Sequence, residues 1–215
     1  MNLKTINEKL DEGRQYRDIN ISMLETREDK EGEMVVRGYA TTFNEPYLLY
    51  SWSDYEVWEQ IDPRAFDDCD MEDVIMQYNH EGRVFARVSN ETLKLSVDKK
   101  GLAIEADLQG TQIGRQLYEE IKGGYTDKMS FGFVVGEDQR VVTEDHEAGK
   151  VSVMRTITKI TKLYDVSAVS IPANDATSIS ARNFSEGVIE EIKEELLARK
   201  ARERQKQKIR ILSEV

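Results

Sequence analysis

The stretch "YTDKMSFGFVV", Tyr125–Val135, decides how the rest of the chain is read. It follows a turn-like pair, Gly123-Gly124, and then alternates large apolar with small residues. Side chains of a strand alternate between faces. A strand here therefore puts Met129, Phe131, Phe133 and Val135 on one side and Ser130, Gly132 and Val134 on the other. The first set is a core face. The second leaves a serine and a glycine bare, which means either exposure to water or space kept for a ligand.

Upstream, "INISMLETRE" and "GEMVVRGYATTF" alternate in the same way around Glu28–Gly32 and read as a β-hairpin. "NEPYLLYSWSDYEVWEQIDPRAFDD", Asn44–Asp68, reads as a long aromatic-rich connection ending in a short helix after Pro63, since proline is tolerated in a first helical turn. "DVIMQYNHE", "VFARVS", "LKLSVDKKG" and "LAIEADL" follow as strand-like runs, with a hairpin turn at Asp98–Gly101. "GTQIGRQLYEEIKGGYTD" then changes period. Ile113, Leu117 and Ile121 recur every four residues, Thr111 can cap the start, and Gly123-Gly124 stops it, so an amphipathic helix is predicted.

Downstream, "KVSVMRTITKITKLYDVSAVSI" is long enough for two strands or for one bent by a bulge, and "PANDATSISAR" reads as a loop. From Ser185 the pattern is helical, with Glu early and Lys/Arg late as the helix dipole favours. Its apolar stripe (Val188, Ile189, Ile192, Leu196) fades beyond Leu197. The fold class is α+β: a mainly antiparallel β domain with at least one packed helix. Residues 1–16 are expected to be a flexible or helical segment, 17–184 the domain, and 185–215 a charged helical tail.

Composition narrows the function. Of 215 residues, 39% are hydrophobic and 33% charged, enough for one core under a highly charged surface. The net charge of −11 argues against nucleic acid as a general partner. The tail differs. Residues 185–215 carry eight Lys and Arg against seven Glu, and seven of those cations fall between Arg199 and Arg210, opposed only by Glu203. Such a basic tip suits docking on an acidic partner, or is simply a solvated helix end. No run approaches the roughly 18 apolar residues of a membrane span, and the polar N-terminus lacks the apolar core of a secretory signal. The single cysteine, Cys69, excludes an internal disulfide. A soluble intracellular protein is expected.

Two histidines make the search for chemistry short. His146, in "TEDHEAGK", reads as an exposed hairpin residue. His80 closes the apolar run "DVIMQYNH" where strand gives way to turn, a place where rigid scaffolds present reactive groups. A serine hydroxyl needs a base to become a nucleophile, commonly imidazole, and a third group to orient that imidazole. Ser130 has a suitable setting: a rigid strand, a bare face, and Gly132 two residues on to admit a substrate backbone. Asp165 interrupts the β-rich "TKLYDVSAVSI", and aspartate is depleted in strands. Each has a bland reading too: a surface imidazole, a plain strand serine, a turn aspartate. Two distant His and one Cys make a poor metal site, and no cofactor is called for. Cys69, in "DDCDMED", sits among five carboxylates, which raise a thiol pKa. No phosphate-binding glycine loop is present.

Taken in order, "VVRGYATTFNEPY", "EQIDPRAF", "YNHEGRVFARV", "DKMSFGFVV" and "LYDVSAVSIPAN" resemble the prohead (capsid maturation) proteases of tailed bacteriophages, from about Ile19 to Ala181. The resemblance implies a serine endopeptidase whose fold is a mostly antiparallel β-barrel of the herpesvirus assembly protease type, with surrounding helices. It places the family histidine at His80, the nucleophile at Ser130 and the acidic third member at Asp165, where many relatives have Glu. Ile61-Asp62-Pro63-Arg64-Ala65-Phe66 departs from the family's usual run in having Arg64 for a glycine. The implied partners are the major capsid protein and scaffold, inside a prohead assembling in the host cytoplasm, with no membrane and no specific nucleic acid. A homodimer is the state of the herpesvirus enzymes. The tail's charge and fading apolar stripe suggest two roles for it, docking on the scaffold and self-cleavage. The competing reading is a non-catalytic β domain that binds capsid or scaffold subunits.

Overall fold

The computed structural model describes residues 13–19, 24–27, 32–169 and 175–213. Its strands are β1 (Arg14–Ile19), β2 (Glu25–Arg27), β3 (Val35–Thr42), β4 (Tyr47–Trp52), β5 (Tyr55–Ile61), β6 (Ile75–Tyr78), β7 (Glu81–Arg87), β8 (Leu93–Val97), β9 (Gly101–Asp107), β10 (Lys128–Asp145) and β11 (Lys150–Val169). The helices are α1 (Gln112–Lys122) and α2 (Asp175–Ser213). The protein is mostly β, with a curled half-barrel sheet and a C-terminal helix. Contacts divide the chain into two units, Met1–Ala181 and Arg182–Val215.

The seven-stranded sheet runs β1-β10-β11-β5-β4, with β6 beside β11 and β7 beside β6. A second sheet runs β2-β3-β9-β8. Most pairings are antiparallel, as the alternating runs imply, but β11 pairs in parallel with both β5 and β6. The organising feature is the long β10–β11 hairpin. Met129, Phe131 and Phe133 are fully buried in one core with Met76, Ile157, Ile160, Leu163 and Val166. The Phe131 and Phe133 rings stack with centroids 4.5 Å apart. Burying each such ring contributes roughly 1.5–3 kcal/mol, enough to fix β10 against sliding.

α1 forms where its period changes. Thr111 Oγ1 accepts from the Gly114 N–H at 3.0 Å, and Leu117, Tyr118 and Ile121 face inward. Asp98 Oδ1 accepts from the Lys100 and Gly101 N–H groups, making the expected β8–β9 turn.

Several expectations change. Residues 14–16, expected to be flexible or helical, are strand: β1 pairs with β10 from Arg14↔Val134 to Ile19↔Met129. The Asn44–Asp68 connection contains β4 and β5, because "YLLYSW" and "YEVWEQI" pair along Tyr47↔Glu59 to Trp52↔Tyr55. After Pro63 come turns rather than a helix: the Ala65 carbonyl accepts from Ile160 N at 2.8 Å, so β11 takes an acceptor that a helix would use. Of the two readings of Lys150–Val169, the structure has the single bulged strand. α2 begins at Asp175, inside the segment read as a loop; no Gly or Pro interrupts 175–186. Residues 1–12, the 28–31 connection and 170–174 lie outside the described residues.

Candidate active site

The site is assembled from three strands around β11. Ser130 is on β10, opposite Ser167 of β11, and Gly132 is opposite Asp165. On the other side of β11, β6 runs parallel to it with Ala168↔Tyr78 in register. β6 turns into β7 through Asn79 and His80, whose φ angles are +50° and +58°. Two consecutive residues with positive φ are what the tight turn of a twisted hairpin demands. Asn tolerates this conformation, whereas at His it carries strain that the surroundings must hold. The Asn79 N–H to Ala168 O bond, 3.0 Å, ties the turn to β11.

Asp165 reaches the site because of a bulge. Leu163 and Asp165 are two residues apart and would face the same way in a regular strand. The register shifts between Gly132/Asp165 and Phe133/Leu163, leaving Tyr164 unpaired. Leu163 therefore enters the core beside Phe133, while Asp165 turns to the face of Ser130 and Gly132. Gly132 is a glycine for a reason visible here. A Cβ on it would lie 2.4 Å from Asp165 Oδ2 and 2.9 Å from Tyr16 Cε1.

These placements bring three of the expected residues into one line. The His80 Nδ1–H donates to Asp165 Oδ1, since a carboxylate can only accept. That leaves Nε2 as an acceptor, and Ser130 Oγ lies 2.5 Å from it, positioned to donate. Ser167, which the sequence reading passed over, donates its Oγ–H to the same Asp165 Oδ1 at 2.8 Å. Its signal was in "DVSAV": two residues after Asp165, it shares that face. His146 is not brought to this cluster; it is an exposed residue of the β10–β11 turn. Cys69 is elsewhere as well, and burial, with Asp70 next, pushes its thiol up to about 11, far from a ready thiolate.

The face expected to be bare is filled. Ser130, His80 and Ser167 are 0% exposed and Asp165 is 2% exposed. Tyr16 of β1, itself buried, lies against this cluster, its ring edge-on to the His80 imidazole at a centroid distance of 4.5 Å. The next residue, Arg17, points to the opposite side of β1 and meets Glu59 of β5 in a buried ion pair. Glu59 also takes Arg155 Nη1 at 2.7 Å and the Tyr47 hydroxyl at 2.5 Å. Burial pushes the Glu59 carboxyl up, but Arg17 and Arg155 outweigh it and hold the carboxyl below its ordinary range.

The caudovirus prohead serine protease family matches residues 22–194 of the chain. The chain belongs to that family. Comparison with curated proteins and with solved structures gives no match. As a prohead serine protease it has its role in the prohead of a tailed phage, inside the host cell. Among the described residues no helix is long and apolar enough to cross a membrane. The family match covers His80, Ser130, Asp165 and Ser167, whereas β1, with Tyr16 and Arg17, precedes it.

Proposed function

We propose that Ser130, His80 and Asp165 are the catalytic triad of a serine endopeptidase. The observation that carries this is His80, hydrogen-bonded through Nδ1 to Asp165 and through Nε2 to Ser130 Oγ. In the reaction Ser130 Oγ attacks a peptide carbonyl carbon as its proton passes to His80 Nε2. Asp165 holds the imidazole in the tautomer with Nδ1 protonated and stabilises the imidazolium that forms. His80 then gives its proton to the departing amine, leaving an acyl-enzyme. Water, deprotonated by the same Nε2, releases the acyl group and restores Ser130. Ser167 orients the Asp165 carboxylate through its 2.8 Å bond.

The substrates are the scaffold, or the scaffold-like segment of the major capsid protein, and the enzyme's own tail. What supports a tail role is the charge of α2: Lys200, Arg202, Arg204, Lys206, Lys208 and Arg210 are all exposed. An exposed basic helix is suited to dock on an acidic, helical scaffold. The relation to the herpesvirus assembly protease fold belongs to the same proposal; a β-rich body with its serine on a sheet strand supports it.

The test is coexpression with the capsid protein, followed by intact mass of every chain. The unsubstituted protein should yield shortened capsid protein and a shortened tail, and Ser130→Ala should leave both intact. Equal processing by the two proteins would sink the protease reading.

A further inference from the structure

The arrangement just described cannot act as it stands. A peptide carbonyl must come within bonding distance of Ser130 Oγ, yet Ser130 and His80 have no exposed surface. One strand is placed where an extended substrate would lie, and its Tyr16, beside the triad, is itself only 1% exposed. Among the described residues β1 is the terminal strand of its sheet and pairs with β10 alone, antiparallel to it with Tyr16 opposite Gly132 and Asp18 opposite Ser130. The edge it occupies is the outer edge of the strand that carries the nucleophile.

An edge strand offers unpaired N–H and C=O groups, and an extended peptide commonly docks by pairing with them. β1 makes this pairing from within the chain. It also places an aromatic ring on His80. Moreover, β1 ends at Ile19 and so precedes the family match, which begins at residue 22.

We infer that β1 is a displaceable cover that occupies the substrate edge of β10 and holds the enzyme latent. This rests on the triad reading above and extends it. The occupant that replaces β1 is an extended segment of a polypeptide, paired along Met129–Val134. Arg17 is the latch. Alternation sends Tyr16 to the His80 side and Arg17 to Glu59, so one short strand both blocks the site and is anchored by a buried ion pair. A peptide that competes for the edge must break that pair or supply a cation of its own to Glu59.

The full chain can be tested with a reversible staple. Arg14 and Val134 are directly opposite in the β1–β10 register. Opposed antiparallel residues have Cα atoms roughly 4.5–5.5 Å apart, within disulfide reach. The protein carrying Arg14→Cys, Val134→Cys and Cys69→Ser is reacted with a small fluorophosphonate, oxidised and then reduced, with Ser130→Ala as the control for labelling elsewhere. The stapled form should react at least about 10-fold more slowly at Ser130 than the reduced form. Equal Ser130-dependent rates in the two forms would overturn the cover. If neither form reacts and the unsubstituted chain leaves capsid protein uncut, the triad reading fails, and hydrogen exchange then decides about β1 alone. Exchange of β1 amides at least about 100-fold faster than the Phe131–Val166 ladder supports a displaceable strand. Exchange at the ladder's own rate makes β1 a fixed part of the sheet and overturns the inference.

Discussion

Two buried charged clusters lie on the two sides of β1, and their difference separates chemistry from architecture. On the Arg17 side, Glu59 is matched by Arg17 and Arg155, two guanidiniums that stay protonated at any working pH. On the Tyr16 side, Asp165 is matched by His80 and Ser167, and the next group along is Ser130. Imidazole gives and takes a proton near neutrality, so the second cluster can move one and the first cannot. Both are buried and each centres on one carboxylate, Glu59 or Asp165, although Arg155 also pairs with Asp138 at 2.7 Å. Only the identity of the base differs in kind.

The largest expected effect breaks the second cluster. Ser130→Ala should lower peptide turnover by roughly 10⁴–10⁶-fold, while thermal denaturation changes by no more than about 1 kcal/mol. Loss of fold together with activity would assign Ser130 an architectural role. Asp165→Asn should cost roughly 10⁴-fold in kcat, because an amide can hold the imidazole in the wrong tautomer. A variant that keeps most of its kcat would remove Asp165 from the triad.

The first cluster should respond in the opposite currency. Glu59→Gln takes the carboxylate from the buried Arg17 and leaves Arg155 only Asp138, and should destabilise the fold by roughly 3–5 kcal/mol in urea titration. A midpoint unchanged from the parent protein would mean that the network contributes nothing net. The same carboxyl predicts a pH dependence. Its folded pKa lies below the ordinary 4.5, so its stabilisation is fully present above 4.5 and is lost as pH falls through the folded value. Urea midpoints should therefore fall on acidification below about 4.5. In Glu59→Gln that acid slope should be shallower; an identical slope would assign it to other carboxylates.

The smallest effect sharpens the comparison inside the triad cluster. Ser167→Ala removes one hydrogen bond to the Asp165 carboxylate, an interaction of roughly 1.5–3 kcal/mol in general. The expectation is a kcat lower by about 10-fold with KM unchanged, since Ser167 is a positioning residue that does not touch substrate. A rise in KM instead would place it against the peptide.

Much of this was legible from local pattern. The Met129–Phe133 face, α1 with its Thr111 cap, the β8–β9 turn and the strand-end position of His80 all follow from periodicity or turn chemistry. β4 and β5 were missed because aromatic-rich runs between Pro46 and Pro63 look irregular until they pair with each other and β5 pairs with β11. Asp165 stood out only as a residue unusual in a strand; the bulge at Tyr164 that aims it depends on how β10 registers against β11. Ser167 was visible by spacing once Asp165 mattered.

The sequence by itself determined which faces of the strands are apolar, because side-chain alternation and helical period depend only on neighbours along the chain. It also supplied the residue types for a nucleophile, a base and an acid. Tertiary structure alone decided that Ser130, His80 and Asp165 meet, since they come from strands 35 to 85 residues apart and are joined only through β11 pairing. It also decided that the small face of "KMSFGFVV" is closed rather than bare. Nothing near Tyr16 signals a cover, because a strand's partner is chosen by the edge it finds and not by its neighbours in sequence.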